Sequence, residues 1–155
     1  MEARIDYYAN PVGAKFAKHL TSAARSLEAA LPEGIGNLVT IRASQINGCG
    51  VCLDMHTKDA VHAGETAVRV ALVGAWRDAV VYTEAEKAAL ALTEAGTRIA
   101  DGAGVPDDVW AGARKHFDDD QLAALVSLIA SINAYNRLNA LTQTPAGNYT
   151  PGQWG

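Results

Sequence analysis

Cys49 and Cys52 stand three positions apart, and His56 follows four further on, in the run Ser44-Gln45-Ile46-Asn47-Gly48-Cys49-Gly50-Val51-Cys52-Leu53-Asp54-Met55-His56. If Cys49 opens a helix, each residue advances about 100°, which puts Cys52 at about 300° and His56 at about 340°. All three then share a stripe about 60° wide, and the i,i+4 spacing lets the Cys52 thiol and the His56 imidazole meet. These residue types suit thiol redox chemistry. The thiolate is the nucleophile, and an unperturbed thiol with a pKa near 8.5 is mostly protonated at neutral pH. An adjacent histidine can take the proton, and a helix N-terminus favours the anion. A second cysteine one turn away can trap an oxidised sulfur as a disulfide before it oxidises further.

The same residues have other uses. A structural zinc site would need a fourth ligand from His19, His62 or His116, because the motif offers only three. A purely structural disulfide closing so short a loop would add little stability. Two inert buried thiols beside a bystander histidine are the remaining alternative.

Several elements must position this stripe. Asn10-Pro11 reads as an N-cap and first helical residue, followed by Val12, Phe16, Leu20, Ala23, Leu27 and Leu31 on one expected inward face, closed by Pro32 and Gly34. A second helix is expected from about Ile35 to Ile46 and is broken at Asn47-Gly48. A third, carrying the cysteines, runs from near Cys49 to a Gly64 cap, and a short fourth follows Thr66. Gly74 to Tyr82 has no clear period. Thr83 and Glu86 form a capping box before a helix with Ala88, Ala89, Ala91, Leu92 and Ile99. Pro106-Asp107-Asp108 opens a short helix bearing Trp110. Asp118 to Asp120 open a long last one with Leu122, Val126, Ile129, Ile132 and Tyr135 as its stripe. The expected fold is all-α, a compact bundle of about six or seven helices over residues 1–143, with an irregular tail over 144–155.

Composition supports that architecture. Alanine fills 30 of 155 positions while aromatics make up only 6%, which favours closely packed helices over a β-sandwich. Thirteen basic residues against 17 acidic ones give a net charge of −4, which argues against nucleic-acid binding and basic attachment to membranes. The N-terminal residues lack the apolar core of a signal peptide, and no apolar run reaches the roughly 20 residues of a membrane span. A cytoplasmic protein is the expectation.

The run from Leu38 to Ala63 resembles the core motif of the carboxymuconolactone decarboxylase superfamily, specifically its alkylhydroperoxidase (AhpD-like) branch. Ser-Gln-Ile-Asn-Gly-Cys, then Cys, then Asp-Met-His is the distinctive part. Tyr82-Thr83-Glu84-Ala85-Glu86, Val105-Pro106-Asp107 and Ile132-Asn133-Ala134-Tyr135-Asn136-Arg137 are similar to later parts of the same branch, so the likeness runs from about Phe16 to Leu141. It implies an all-α fold assembled as trimers or hexamers and cofactor-free reduction of a peroxide, with an external dithiol or thioredoxin-like protein as reductant. It also implies Cys52 as the peroxidatic thiol, Cys49 as the resolving one and His56 in a proton relay. Residue chemistry leaves the order open, because Cys49 is nearer the helix N-terminus and Cys52 is nearer His56.

Two departures from the branch stand out. Its peroxidases carry a Glu twelve residues before the first cysteine, where this chain has Asn37, and a His between the cysteines, where it has Val51. An amide cannot relay a proton as a carboxylate does. Glu84, or else Glu33, is the candidate substitute; a first-turn helix charge is the plainer use of Glu84. The departures keep a second function open, a disulfide oxidoreductase or redox sensor, beside a third, a metal-bound or structural oligomer. His62 is expected to face away from the stripe, and Trp76 and Trp110 to serve packing. Gln45 and Asn47 either shape the approach to the cysteines or satisfy backbone groups at the end of the second helix.

Overall fold

The computed structural model describes residues 2–153 and contains seven α-helices and no strand among them. They are α1 (Pro11–Arg25), α2 (Ile35–Asn47), α3 (Gly50–His62), α4 (Ala67–Leu72), α5 (Glu84–Thr97), α6 (Asp107–Arg114) and α7 (Asp119–Thr142). Short 3₁₀ turns lie at Glu28–Ala30, Val73–Ala75 and Ile99–Asp101.

Helix α2 is the centre of the bundle. Apolar side chains surround it, and it packs against α3, α5 and α7. One side, Ile35 and Val39, joins Leu92, Phe117, Leu125 and Ile129 in a core shared with α5, α6 and α7. The other side, Leu38 and Ile41, packs on Val73, Trp76, Tyr82 and Leu90. A smaller third cluster joins Ala43, Val51, Ile132 and the two cysteines. A buried carboxylate also ties α2 to α5: Glu94 accepts from Arg42 Nε at 2.7 Å, Trp76 Nε1 at 2.9 Å and Arg77 at 2.6 Å.

The predicted caps are present. Asn10 Oδ1 accepts from the Val12 and Gly13 amides, and complete capping boxes at Thr83/Glu86 and Asp118/Gln121 open α5 and α7. Gly48, with φ at 66°, ends α2 in the left-handed conformation that glycine tolerates, and the Cys49 amide donates to Ser44 O at 3.0 Å. That tight reversal starts α3 at once and delivers Cys49 to its N-cap.

Three expectations need correction. Helix α1 ends at Arg25, and Val12 and Phe16 of its expected inward stripe are 80% and 51% exposed. The small residues Gly13 and Ala17 form its buried face instead, which lets the helix lie close on its neighbours. Ile99 falls beyond α5 in an exposed 3₁₀ turn. Val126 faces outward, because the stripe of α7 steps from Leu122 to Leu125 and not to Val126.

The described residues after α7, up to 153, form an irregular segment that lies along α3; the last two residues of the expected tail lie outside the described residues. Asp54 accepts from the Gly147 and Tyr149 amides at 2.8 and 3.1 Å, and Lys58 donates to Tyr149 O at 2.8 Å. No helix among the described residues is long and apolar enough to cross a membrane.

Candidate active site

Cys49 and Cys52 are joined as a disulfide, and each is only 2% exposed. Cys49 Sγ caps α3 by accepting from the Cys52 amide at 3.4 Å. The two sulfurs differ in their outlook. Both sit in the cluster with Ala43 and Ile132, but Cys52 lines a cleft of about 910 Å³, whereas Cys49 is absent from its walls.

The cleft lies between α1, α3 and α7. Ala14, Ala17 and Ala24 of α1, Met55 of α3, Leu128 and Ile132 of α7, and Leu27 and Leu31 form its apolar walls. Lys18, Arg25, Glu33, Asn37, Asp59 and Tyr135 contribute its polar groups. His56 is one helical turn beyond Cys52 on the same wall. Burial lowers its pKa to about 4, and the negative charge of Asp59 opposes that shift. In the disulfide state the imidazole is therefore neutral at pH 7; an ionised Cys52 one turn away would act with Asp59 to favour its protonated form.

The other candidates are placed as follows. Asn37 and Val51 both line the cleft, so the two departures from the peroxidase pattern fall at the site itself. Glu33 lines it as well. Glu84 does not: it is exposed in the first turn of α5, with its carboxylate 3.8 Å from Lys87. His19, His62 and His116 are exposed and none lines the cleft. Trp76 is buried against Glu94, while Trp110 is partly exposed. Gln45 accepts from Arg42 at 3.0 Å. Asn47 serves neither expected use, since it donates to Asn133 and Asn136 of α7, both at 2.9 Å.

Four residues of the site were not anticipated. Asn139 Nδ2 donates to Cys52 Sγ at 3.4 Å, and the Tyr8 hydroxyl donates to Asn139 Oδ1 at 2.9 Å. The Tyr149 hydroxyl donates to both carboxylate oxygens of Asp59. A signal existed for the first. Asn133, Asn136 and Asn139 recur every third position and are buried on α7 in line with Leu122, Leu125, Ile129 and Ile132, where amides need partners.

The cysteine-histidine wall can now be set beside known proteins. The model of the carboxymuconolactone decarboxylase family matches residues 11–95, which include α2, the cysteine pair and His56. The chain belongs to the carboxymuconolactone decarboxylase family. Within it, the uncharacterized protein YdfG of Bacillus subtilis is 37% identical over 140 residues, covering 90% of this chain and 93% of YdfG. An Agrobacterium tumefaciens protein of unknown function, provisionally assigned to AhpD-type antioxidant defence, superposes with a TM-score of 0.87 at 34% identity. That match covers 96% of this chain and 100% of the other. The debrominase Bmp8, solved with 2,3,4-tribromopyrrole, gives a TM-score of 0.77 at 18% identity over 90% of this chain and 73% of its own, a likeness of fold alone. The seven-helix AhpD-like fold of this carboxymuconolactone decarboxylase family member is thus the one that the motif implied.

Proposed function

We propose that the chain is a thiol-dependent peroxidase of the alkylhydroperoxidase type, with Cys52 as the attacking sulfur. One observation carries this reading: of the two paired cysteines, only Cys52 lines the cleft, and His56 lines it one turn away. The reduced Cys52 thiol gives its proton to His56. The thiolate attacks the terminal oxygen of a hydroperoxide, the O–O bond breaks, and the alkoxide leaves as an alcohol, or as water, after protonation. Cys49 then attacks the Cys52 sulfenic acid, releasing water and forming the disulfide. An external dithiol, or a thioredoxin-like protein of the kind a cytoplasm supplies, restores both thiols and takes up the disulfide itself. No step calls on a metal or cofactor.

Glu84 has no part in this scheme, because it lies off the cleft. Asp59 beside His56 is the better-placed carboxylate, and Glu33 is the other on the walls. A homotrimer or homohexamer also belongs to the proposal, since assembly would cover the exposed Val12 and Phe16 of α1.

The amide at position 37 favours a second reading, disulfide exchange without efficient peroxide turnover. Thiol titration before and after one equivalent of cumene hydroperoxide separates the two. The peroxidase reading expects loss of two thiols in the wild type and no loss in Cys52→Ser. Unchanged thiols in the wild type, with rapid exchange against an added disulfide, select the second reading.

A further inference from the structure

We propose that Asn139 is a catalytic residue of the thiol chemistry, donating its Nδ2–H to the Cys52 thiolate, and that Tyr8 is its positioning residue. The inference rests on the reading of Cys52 as the attacking sulfur.

The two thiols have unequal local support. Cys49 sits at the N-cap of α3, where the sulfur already accepts from the Cys52 amide. Cys52 lies inside the first turn, and its own amide donates away from its sulfur. On helix position alone Cys49 would be the more acidic thiol. The missing donor for Cys52 comes from the far end of the chain, as Asn139 of α7 places Nδ2 at 3.4 Å from Sγ. Asn139 is 8% exposed, so this amide has little water to turn to.

Tyr8 sets the direction of that amide. Its hydroxyl donates to Oδ1 at 2.9 Å, which leaves Nδ2 for the sulfur. Partial burial raises the pKa of Tyr8, so the hydroxyl keeps its proton and stays a donor at neutral pH. The segment that carries Tyr8 is itself tied to α7, where Arg4 N donates to Thr142 O at 2.8 Å and Arg4 Nη1 to Leu141 O at 3.1 Å. In a disulfide the sulfur is a weak acceptor. A dithiol that attacks Cys52 in the cleft expels Cys49, its second thiol then closes the dithiol's own disulfide and releases Cys52 as a thiolate, and the Asn139 bond becomes charge-assisted. The pair therefore favours the ionised, reduced state over both the neutral thiol and the disulfide.

The pH dependence of carbamidomethylation by iodoacetamide tests this on the full chain carrying Cys49→Ser, a substitution that keeps a good N-cap. It reports the Cys52 thiol directly and uses no peroxide. Asn139→Ala should raise the apparent thiol pKa by about one unit, a roughly tenfold slower reaction on the acid side of both pKa values. Tyr8→Phe, at a position 41% exposed and therefore tolerant, should raise it by a smaller amount in the same direction.

The remaining titratable groups on the cleft are unchanged by either substitution. These are His56 and Asp59 of α3, with Tyr149 hydrogen-bonded to Asp59. Lys18 and Arg25 of α1, Glu33 before α2 and Tyr135 of α7 complete the set.

A pKa unmoved in Tyr8→Phe and in folded Asn139→Ala overturns the proposal; if Asn139→Ala fails to fold, Tyr8→Phe decides alone. A shifted pKa in a protein that turns over no peroxide sustains the thiolate donor while refuting the peroxidase reading, so the two failures are distinct.

Discussion

The Tyr149 hydroxyl donates to both carboxylate oxygens of Asp59, at 2.8 and 3.0 Å, and so pins the irregular C-terminal segment to the wall of the cleft beside His56. Tyr149 is 8% exposed, and its hydroxyl also accepts from the Gly152 amide at 3.1 Å. Hydrogen bonds to a charged group are worth about 1.5–3 kcal/mol. Tyr149→Phe should cost stability in that range, read as a lower urea midpoint with an unchanged m-value. A midpoint equal to that of the wild type would show that the segment is not held by this bond.

His56 predicts a pH dependence of stability. In the unfolded chain it titrates near 6.5, whereas burial holds it at about 4 in the native disulfide form. Between those values the unfolded chain binds the proton and the native state does not. Stability from this group is therefore complete above pH 6.5 and lost as the pH falls toward 4, by up to about 3 kcal/mol. His56→Phe should flatten the stability profile across that window, as measured by denaturant unfolding at several pH values. Asp59→Asn should act in the opposite sense on the imidazole. It removes the charge that supports protonation, so the His56 pKa falls further, as a histidine NMR titration would show.

Glu94 is a buried charge with a clear consequence. Its side chain is 11% exposed and that of Arg42 is 14%, with a contact of 2.6 Å, while Arg77 on the opposite oxygen is 63% exposed. Glu94→Gln turns an amide donor toward a guanidinium and leaves Arg42 buried without its counter-charge. The expected cost is about 3 kcal/mol. Arg77→Ala removes a solvent-screened partner and should cost less than about 1 kcal/mol. Similar effects from both would mean that Arg42 finds water when its carboxylate is removed.

Local signals in the chain were readable because their physics is local. Asn10-Pro11, Thr83/Glu86 and Asp118 are caps whose partners lie within three residues, and Gly48 marks a reversal that only its own φ demands. The Cys52 and His56 pair belongs to the same class, since one helix positions both, whereas Cys49 stands at its N-cap in extended conformation and off their shared wall. What escaped depends on pairs distant in sequence: Asn139 meets Cys52 across 87 residues and Tyr149 meets Asp59 across 90. The orientation of α1 failed for a related reason. A period of three to four marks an apolar face, but the face that turns inward is the one narrow enough to lie against its neighbours, and here that is Gly13 and Ala17.

Gly13 supplies a final prediction, because it joins that packing to the sulfur. Gly→Ala in a helix ordinarily stabilises by up to about 1 kcal/mol. A Cβ on Gly13, however, would lie 2.2 Å from the Tyr7 carbonyl oxygen, a backbone atom that cannot turn aside. The segment ahead of α1 must shift and carry Tyr8 away from Asn139. Gly13→Ala should therefore destabilise the fold and raise the Cys52 thiol pKa in the direction of Tyr8→Phe. Gly112 in α6 has nothing within 4 Å of its added Cβ, so Gly112→Ala should stabilise slightly and leave the thiol unchanged. Urea unfolding and the alkylation profile, run on both variants, check the pair. A Gly13→Ala protein as stable as Gly112→Ala, with an unshifted thiol, would show that the N-terminal segment moves without moving Tyr8.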